Sequence, residues 1–156
     1  MTKFGAYKIL PHKKLNIEYY RGELNIDDLI YFKKIVRQDP NYNFYWNTIL
    51  DLRDCKLMIK SPEIKKFVDI MKDDYNTSKP RNLAFLSSSS NEVALSVLYT
   101  LIVKSSGINF NTFNVSSIDT LILNFSENII EKQKLVAILN ELQTTTKNIY
   151  TLKTNN

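Results

Sequence analysis

The sequence predicts an α/β fold: a mainly parallel five-stranded sheet with an N-terminal hairpin, helices on both faces and one extra C-terminal helix. Three observations predict it. Short β-type runs alternate with segments of helical periodicity along most of the chain. Thr48-Ile49-Leu50-Asp51-Leu52 is apolar on both faces apart from its aspartate, as in a sheet covered on both sides. Ile64, Phe67, Val68, Met71 and Tyr75 recur at helical spacing, with Lys65, Lys66, Asp69, Lys72 and Asp73 on the opposite side.

Taken in order, Tyr7 to Leu10 and Leu15 to Tyr20 are β-type runs joined by Pro11-His12-Lys13-Lys14, which reads as a hairpin. Gly22 is expected to end the second run. Asn25 and Asp28 stand at capping-box spacing, and Ile26, Leu29, Ile30, Phe32 and Val36 supply a helical face. Asp39-Pro40-Asn41 stops that helix. The third strand, Thr48 to Leu52, follows.

Ser61-Pro62-Glu63 offers an N-cap, a proline at the first helical position and an early acid for the helix dipole. Lys79-Pro80-Arg81 resets the chain, and Leu83 to Leu86 is a fourth strand. Ser89 and Glu92 fit a second capping box, leading a helix over about 91–105. That helix is apolar nearly all round, so it is expected to be the most buried one. Gly107 ends it, and Phe110 to Val115 is the fifth strand.

Two stripes follow. Ile118, Leu121, Ile122, Phe125 and Ile129 form one, and Leu135, Ile138, Leu139 and Leu142 another. They are offset by about 100° around a common helix, which one straight helix facing one core cannot satisfy. A break is therefore expected near Asn124 to Asn128, then a separate helix over about 129–142. Thr144 to Asn156 reads as a polar tail in which Asn148 to Leu152 would add a strand or stay mobile.

Composition excludes many function classes. The chain has 156 residues, 44% hydrophobic and 24% charged, which suits one globular domain. Its three glycines, Gly5, Gly22 and Gly107, lie too far apart for a phosphate loop or dinucleotide fingerprint. One histidine and one cysteine leave no zinc finger and no disulfide framework, so no metal and no cofactor are expected. The net charge of +5 comes from 17 lysines against 4 arginines, and asparagine and isoleucine also number 17 each. A low-GC genome accounts for that triple excess, and the basic residues are dispersed, so nucleic acid is not an expected partner. The first residues lack the apolar run of a signal peptide, and Val93 to Val103, the longest uncharged helical run, is far short of a membrane span. With a lone Cys55, a cytoplasmic setting is expected.

The carboxyl ends of parallel strands share one edge, where ligands usually bind. Arg21-Gly22-Glu23, Asp51 to Cys55, Ser87 to Ser90 and Ser116-Ser117 should gather there. Arg21, Arg53, Ser88, Ser89 and Ser90 are thus the candidates for holding a small anion, since arginine suits carboxylate and phosphate and a helix N-terminus offers free N–H groups. The competing reading is an ordinary cap plus an Arg53–Asp51 pair. A triad would need His12, which lies at the far end of the sheet from those serines, and no Gly-x-Ser-x-Gly elbow exists. Asp51 and Asp54 lack a third acid for a magnesium site, and Cys55 lacks a neighbouring base. No catalytic residue is assigned. Tyr42, Phe44, Tyr45 and Trp46 either cap the sheet edge or form a partner surface.

Several stretches carry a family resemblance: Tyr7-Lys8-Ile9-Leu10-Pro11, the Leu15 strand running to Gly22, Asp39-Pro40-Asn41-Tyr42 and Ile49-Leu50-Asp51-Leu52-Arg53-Asp54. With the helix from Ser61, Leu83-Ala84-Phe85-Leu86, and Phe113 followed by a short helix to Leu123, they resemble small bacterial STAS-like proteins. These share the SpoIIAA-like fold with anti-sigma-factor antagonists and are close in topology to CRAL-TRIO lipid-binding domains. The resemblance covers about residues 6–125. It implies a non-catalytic binding module that engages a protein partner or itself, with a small anionic or lipid ligand as the alternative. Where the antagonists carry an Asp-Ser-x-Gly phosphorylation motif, this chain reads Leu57-Met58-Ile59-Lys60-Ser61-Pro62. Ser61 falls near the phosphoserine place, but the aspartate and glycine are missing and its context is a helix N-cap followed by proline, so no phospho-switch is carried over. Residues 126–156 extend past the resemblance. Leu135, Ile138, Leu139 and Leu142 are expected to be buried, either on the domain of residues 1–125 or against another chain, which makes Leu135 and Leu142 candidate partner-surface residues.

Overall fold

The computed structural model describes residues 2–71, 80–125 and 130–154. Five strands, β1 (Gly5–Leu10), β2 (Leu15–Leu24), β3 (Asn47–Leu57), β4 (Arg81–Leu86) and β5 (Phe110–Val115), form one sheet in sequential order. The sheet is mixed: β1 runs antiparallel to β2, and β2 through β5 are parallel. The helices are α1 (Ile26–Gln38), α2 (Ser61–Met71), α3 (Ser90–Ser105), α4 (Ile118–Asn124) and α5 (Lys132–Thr154). Lys72, Asp73, Tyr75, Lys79 and Ile129 lie outside the described residues.

Sequential strand order has a consequence for the layers. Right-handed crossovers that always step the same way place every crossover helix on the same face. Accordingly α1, α2 and α3 cover the side of Tyr20, Leu50, Leu83 and Phe85, while α4 and α5 cover the side of Ile17, Ile49, Ala84 and Leu86. Strand order never reverses among the parallel strands, so they contain no switch-point crevice of the doubly wound kind.

The cap of α1 forms as expected: Asn25 Oδ1 accepts from Asp28 N–H, and Asp28 Oδ2 accepts from Asn25 N–H, each at 3.0 Å. The second capping box does not form. Ser89 makes no side-chain cap bond, because Glu92 turns inward and accepts from Leu57 N–H at 3.0 Å. At α2, Ser61 enters the helix as its first residue, and Glu63 accepts from Lys60 N–H at 2.7 Å.

Four further expectations are corrected. Gly22 does not end β2: with φ of +78° it lies inside the strand, and after a register shift at Tyr19/Arg21 the β2–β3 pair continues from Arg21↔Asp54 to Leu24↔Leu57. Helix α3 is not the most buried. The polar residues Glu92 and Ser96 face inward, whereas Val93 is 38%, Val97 44% and Leu101 60% exposed. The end of the chain through Thr154 is helical, where a strand or loose tail was expected. Thr144, Thr145 and Thr146 hydroxyls donate to the carbonyls four residues back, giving polar residues a place in a helix. Finally, Leu135 and Leu142 offer no partner surface, because with Ile138 and Leu139 they are buried against the chain's own sheet. The expected separation of the two C-terminal stripes into different helices does hold, with α4 ending at Asn124 and α5 beginning at Lys132.

Candidate functional site

The carboxyl-end edge comes together only in part. Arg53 is held by Asp51 in a two-pronged bond, Nε to Oδ1 at 2.8 Å and Nη2 to Oδ2 at 2.7 Å. Arg21 stands opposite Asp54 in the β2–β3 ladder. Ser88 Oγ donates to the Arg53 carbonyl at 3.3 Å, while Ser89 and Ser90 are exposed at the start of α3. Arg53 and the serines are therefore neighbours, but the arginine's fork is already filled by an aspartate of the same strand.

Helix α5 closes over this edge and contributes to it. Tyr19 hydroxyl and Gln143 Nε2 both donate to Asp54 Oδ2 at 2.7 Å. Burial raises the Asp54 pKa, but those two bonds and the Arg53 and Lys147 charges outweigh it and hold the carboxyl below the usual range. Burial and Asp54 together push the Tyr19 phenol up. A cleft of about 210 Å³ remains between Tyr19, Asp51, Arg53, Asp54, Leu139 and Gln143. Its arginine and its Asp51 neutralise each other, so the cleft lacks the surplus of donors that an anion site needs.

Among the described residues, no group of three His, Cys, Asp or Glu side chains could hold a metal. His12 lies exposed in the turn Pro11–Lys13, at the end of the sheet opposite Ser87 to Ser90. Burial, helped by the Glu92 charge, pushes the Cys55 thiol up to about 12, which suppresses the thiolate. Ser61 is exposed at the start of α2.

The sheet's other face holds what the sequence reading did not single out. Between that face and α1, α2 and α3 lies an apolar cavity walled by Leu29, Leu50, Phe67, Leu83, Phe85 and Tyr99, among others. It offers about 100 Å³ to the centre of a water-sized molecule, and about 890 Å³ when all space between its side chains and at its mouth is counted. Tyr42 and Phe44, assigned to an aromatic surface, are half-buried and line this cavity, leaving Tyr45 alone of the four exposed.

One end of the cavity is cationic. Lys33 Nζ reaches both Glu18 oxygens, at 2.7 and 2.6 Å, and Tyr20 hydroxyl donates to Glu18 Oε2 at 2.5 Å. Burial lowers the Lys33 pKa and the Glu18 charge opposes it. Beside them Arg81, only 5% exposed, donates from Nη2 to Thr48 Oγ1 and stacks on Phe44 and Phe110, 4.7 and 5.3 Å from their ring centroids. Its Nε has no hydrogen-bond partner. The signal available in the sequence was the polar alternation Asn16-Glu18-Tyr20 along β2, which resembles a solvent face until α1 covers it.

Comparison with family models, with curated proteins and with solved structures finds no match to this chain.

Proposed function

We propose that this chain is a non-catalytic STAS-like α/β module, set in a bacterial cytoplasm, that works by binding protein through the outward face of α3. The element order supports the STAS-like reading: an antiparallel β1–β2 pair feeds three crossovers in sequential strand order. One observation carries the binding reading. Val93, Val97 and Leu101 are spaced four apart on the exposed side of a helix that turns Glu92 and Ser96 inward. Folding driven by burial alone would favour the opposite orientation, so the outward apolar ridge calls for a covering surface.

A ridge at four-residue spacing packs into the grooves of another helix. A second copy of the chain supplies such a helix, and α3 opposes it with no exposed acid and only Lys104 near its end. The 16-residue helix is about 24 Å long. With a helix diameter of about 10 Å its face covers roughly 240 Å², short of the ~800 Å² per partner of a stable complex, so the association is weak and reversible. Membrane spanning is not part of this reading, since no helix among the described residues is long and apolar enough to cross a bilayer. The carboxyl-end edge is a weaker choice for a small anionic or lipid ligand, because Asp51 already holds Arg53.

Amide NMR spectra recorded across a dilution series test the proposal. Shifts confined to α3 and its surroundings are expected. Concentration-independent α3 resonances would refute it.

A further inference from the structure

We propose that the cavity beneath α1, α2 and α3 binds a medium-chain monocarboxylate, its carboxylate on the Arg81 guanidinium and its tail among the apolar side chains. This inference is independent of the protein-binding reading.

The argument starts from the charge left over. A guanidinium carries five N–H donors. Arg81 gives one to Thr48 Oγ1 and another to the Tyr42 hydroxyl, its Nε has no partner, and no carboxylate among the described residues pairs with it. The nearby acid is already occupied: Lys33 and Tyr20 hold Glu18. Stacking on Phe44 and Phe110 returns about 0.5–2 kcal/mol, less than the several kcal/mol lost when an ion leaves water. A carboxylate accepting two parallel N–H bonds supplies what the site lacks.

The rest of the cavity sets the ligand's other end. Leu29, Leu50, Phe67, Leu83, Phe85 and Tyr99 offer no charge to a second polar group. Arg81 begins β4, whereas Glu92 is bonded to Leu57 at the last residue of β3, so cation and acid lie at opposite ends of the sheet. An acid at the far end repels a second carboxylate, which selects a single anionic head with an apolar tail.

Isothermal titration calorimetry of the full chain with decanoate, and separately with decanol, tests this. One equivalent of decanoate is expected to bind, with decanol weaker by about tenfold or more, the worth of a charge-assisted bond. Arg81→Met, checked for folding by circular dichroism, should weaken decanoate to the level of decanol and leave decanol unchanged. Leu95→Trp, which fills the cavity from α3, should abolish both. No heat with decanoate, equal affinity for the two probes, or decanoate binding unaltered in Arg81→Met would each overturn the proposal. The decanol comparison on the unmodified chain decides the matter even if Arg81→Met does not fold.

Discussion

Lys33 Nζ lies 2.6 Å from Glu18 Oε2, and the Glu18 carboxylate is wholly enclosed under α1. Breaking a buried pair strands the surviving charge, so Glu18→Gln is expected to destabilise the chain by about 3–5 kcal/mol. Replacing both partners, as Glu18→Leu with Lys33→Met, should cost far less than the single change. Urea denaturation of the two singles and the double measures the difference. A double-variant loss equal to the sum of the two single losses would show that the pair is not coupled.

At Gly5 the prediction concerns space. A Cβ there would collide with the Tyr19 carbonyl oxygen across the β1–β2 pair and press on the Phe32 ring at 3.2 Å. Gly5→Ala should therefore lower stability by about 1–3 kcal/mol, the usual cost of overpacking, although alanine has the better strand propensity. Thermal unfolding checks it, and an unchanged midpoint would contradict the register.

Much of the fold was legible in the sequence, for identifiable reasons. The Asn25/Asp28 cap, the stop at Asp39-Pro40 and the fifth strand over Phe110–Val115 all rest on local chemistry, which the folded chain keeps. What failed depended on which surface each element meets. Arg21-Gly22 looked like a strand end, but β3 is long enough to pair with it through Leu57. Helix α3 looked buried because it is apolar all round, yet sequential strand order leaves it one sheet face and α2 to pack on. The site was less legible still. Arg53 and Asp51 were foreseen as a pair, whereas Glu18, Lys33 and Arg81 come from three separate elements, and no local spacing announces their meeting.

Cys55 provides a chemical test of its own surroundings. With its thiol pushed up to about 12 by burial and nearby acids, almost none is thiolate at pH 8. Reaction with Ellman's reagent should run at least about a hundredfold slower than for an unperturbed thiol near pKa ~8.5. Labelling at the free-thiol rate would mean the thiol is activated instead.

Asp54 makes stability depend on acid. Its folded pKa lies below its unfolded value, so in the acid range the folded state binds fewer protons than the unfolded chain. The stabilisation is complete above the unfolded value near 4 and is lost as pH drops through the folded one. Asp54→Asn removes that contribution. Its unfolding free energy should fall less steeply than the parent's below about pH 4. Parallel acid dependence in both would place Asp54 outside the Tyr19–Gln143 network.

Helix α5 is structural. Leu135, Ile138, Leu139 and Leu142 are all buried, at about 1.5–3 kcal/mol each. Their sum is comparable with the ~5–15 kcal/mol that holds a whole domain together. A chain ending at Phe125 should lose cooperative unfolding and bind a hydrophobic dye. A folded truncated domain would contradict the placement of α5 in the core.

Sedimentation velocity across a concentration series, comparing the parent chain with Leu101→Lys, tests the protein-binding claim most directly. Leu101 is 60% exposed, so the substitution leaves the core intact. The parent is expected to sediment faster as concentration rises, tending from the 18.2 kDa monomer towards a dimer, while Leu101→Lys stays monomeric throughout. A parent chain that remains monomeric at every concentration, or a variant that associates equally well, would contradict the assignment of α3 as the binding face.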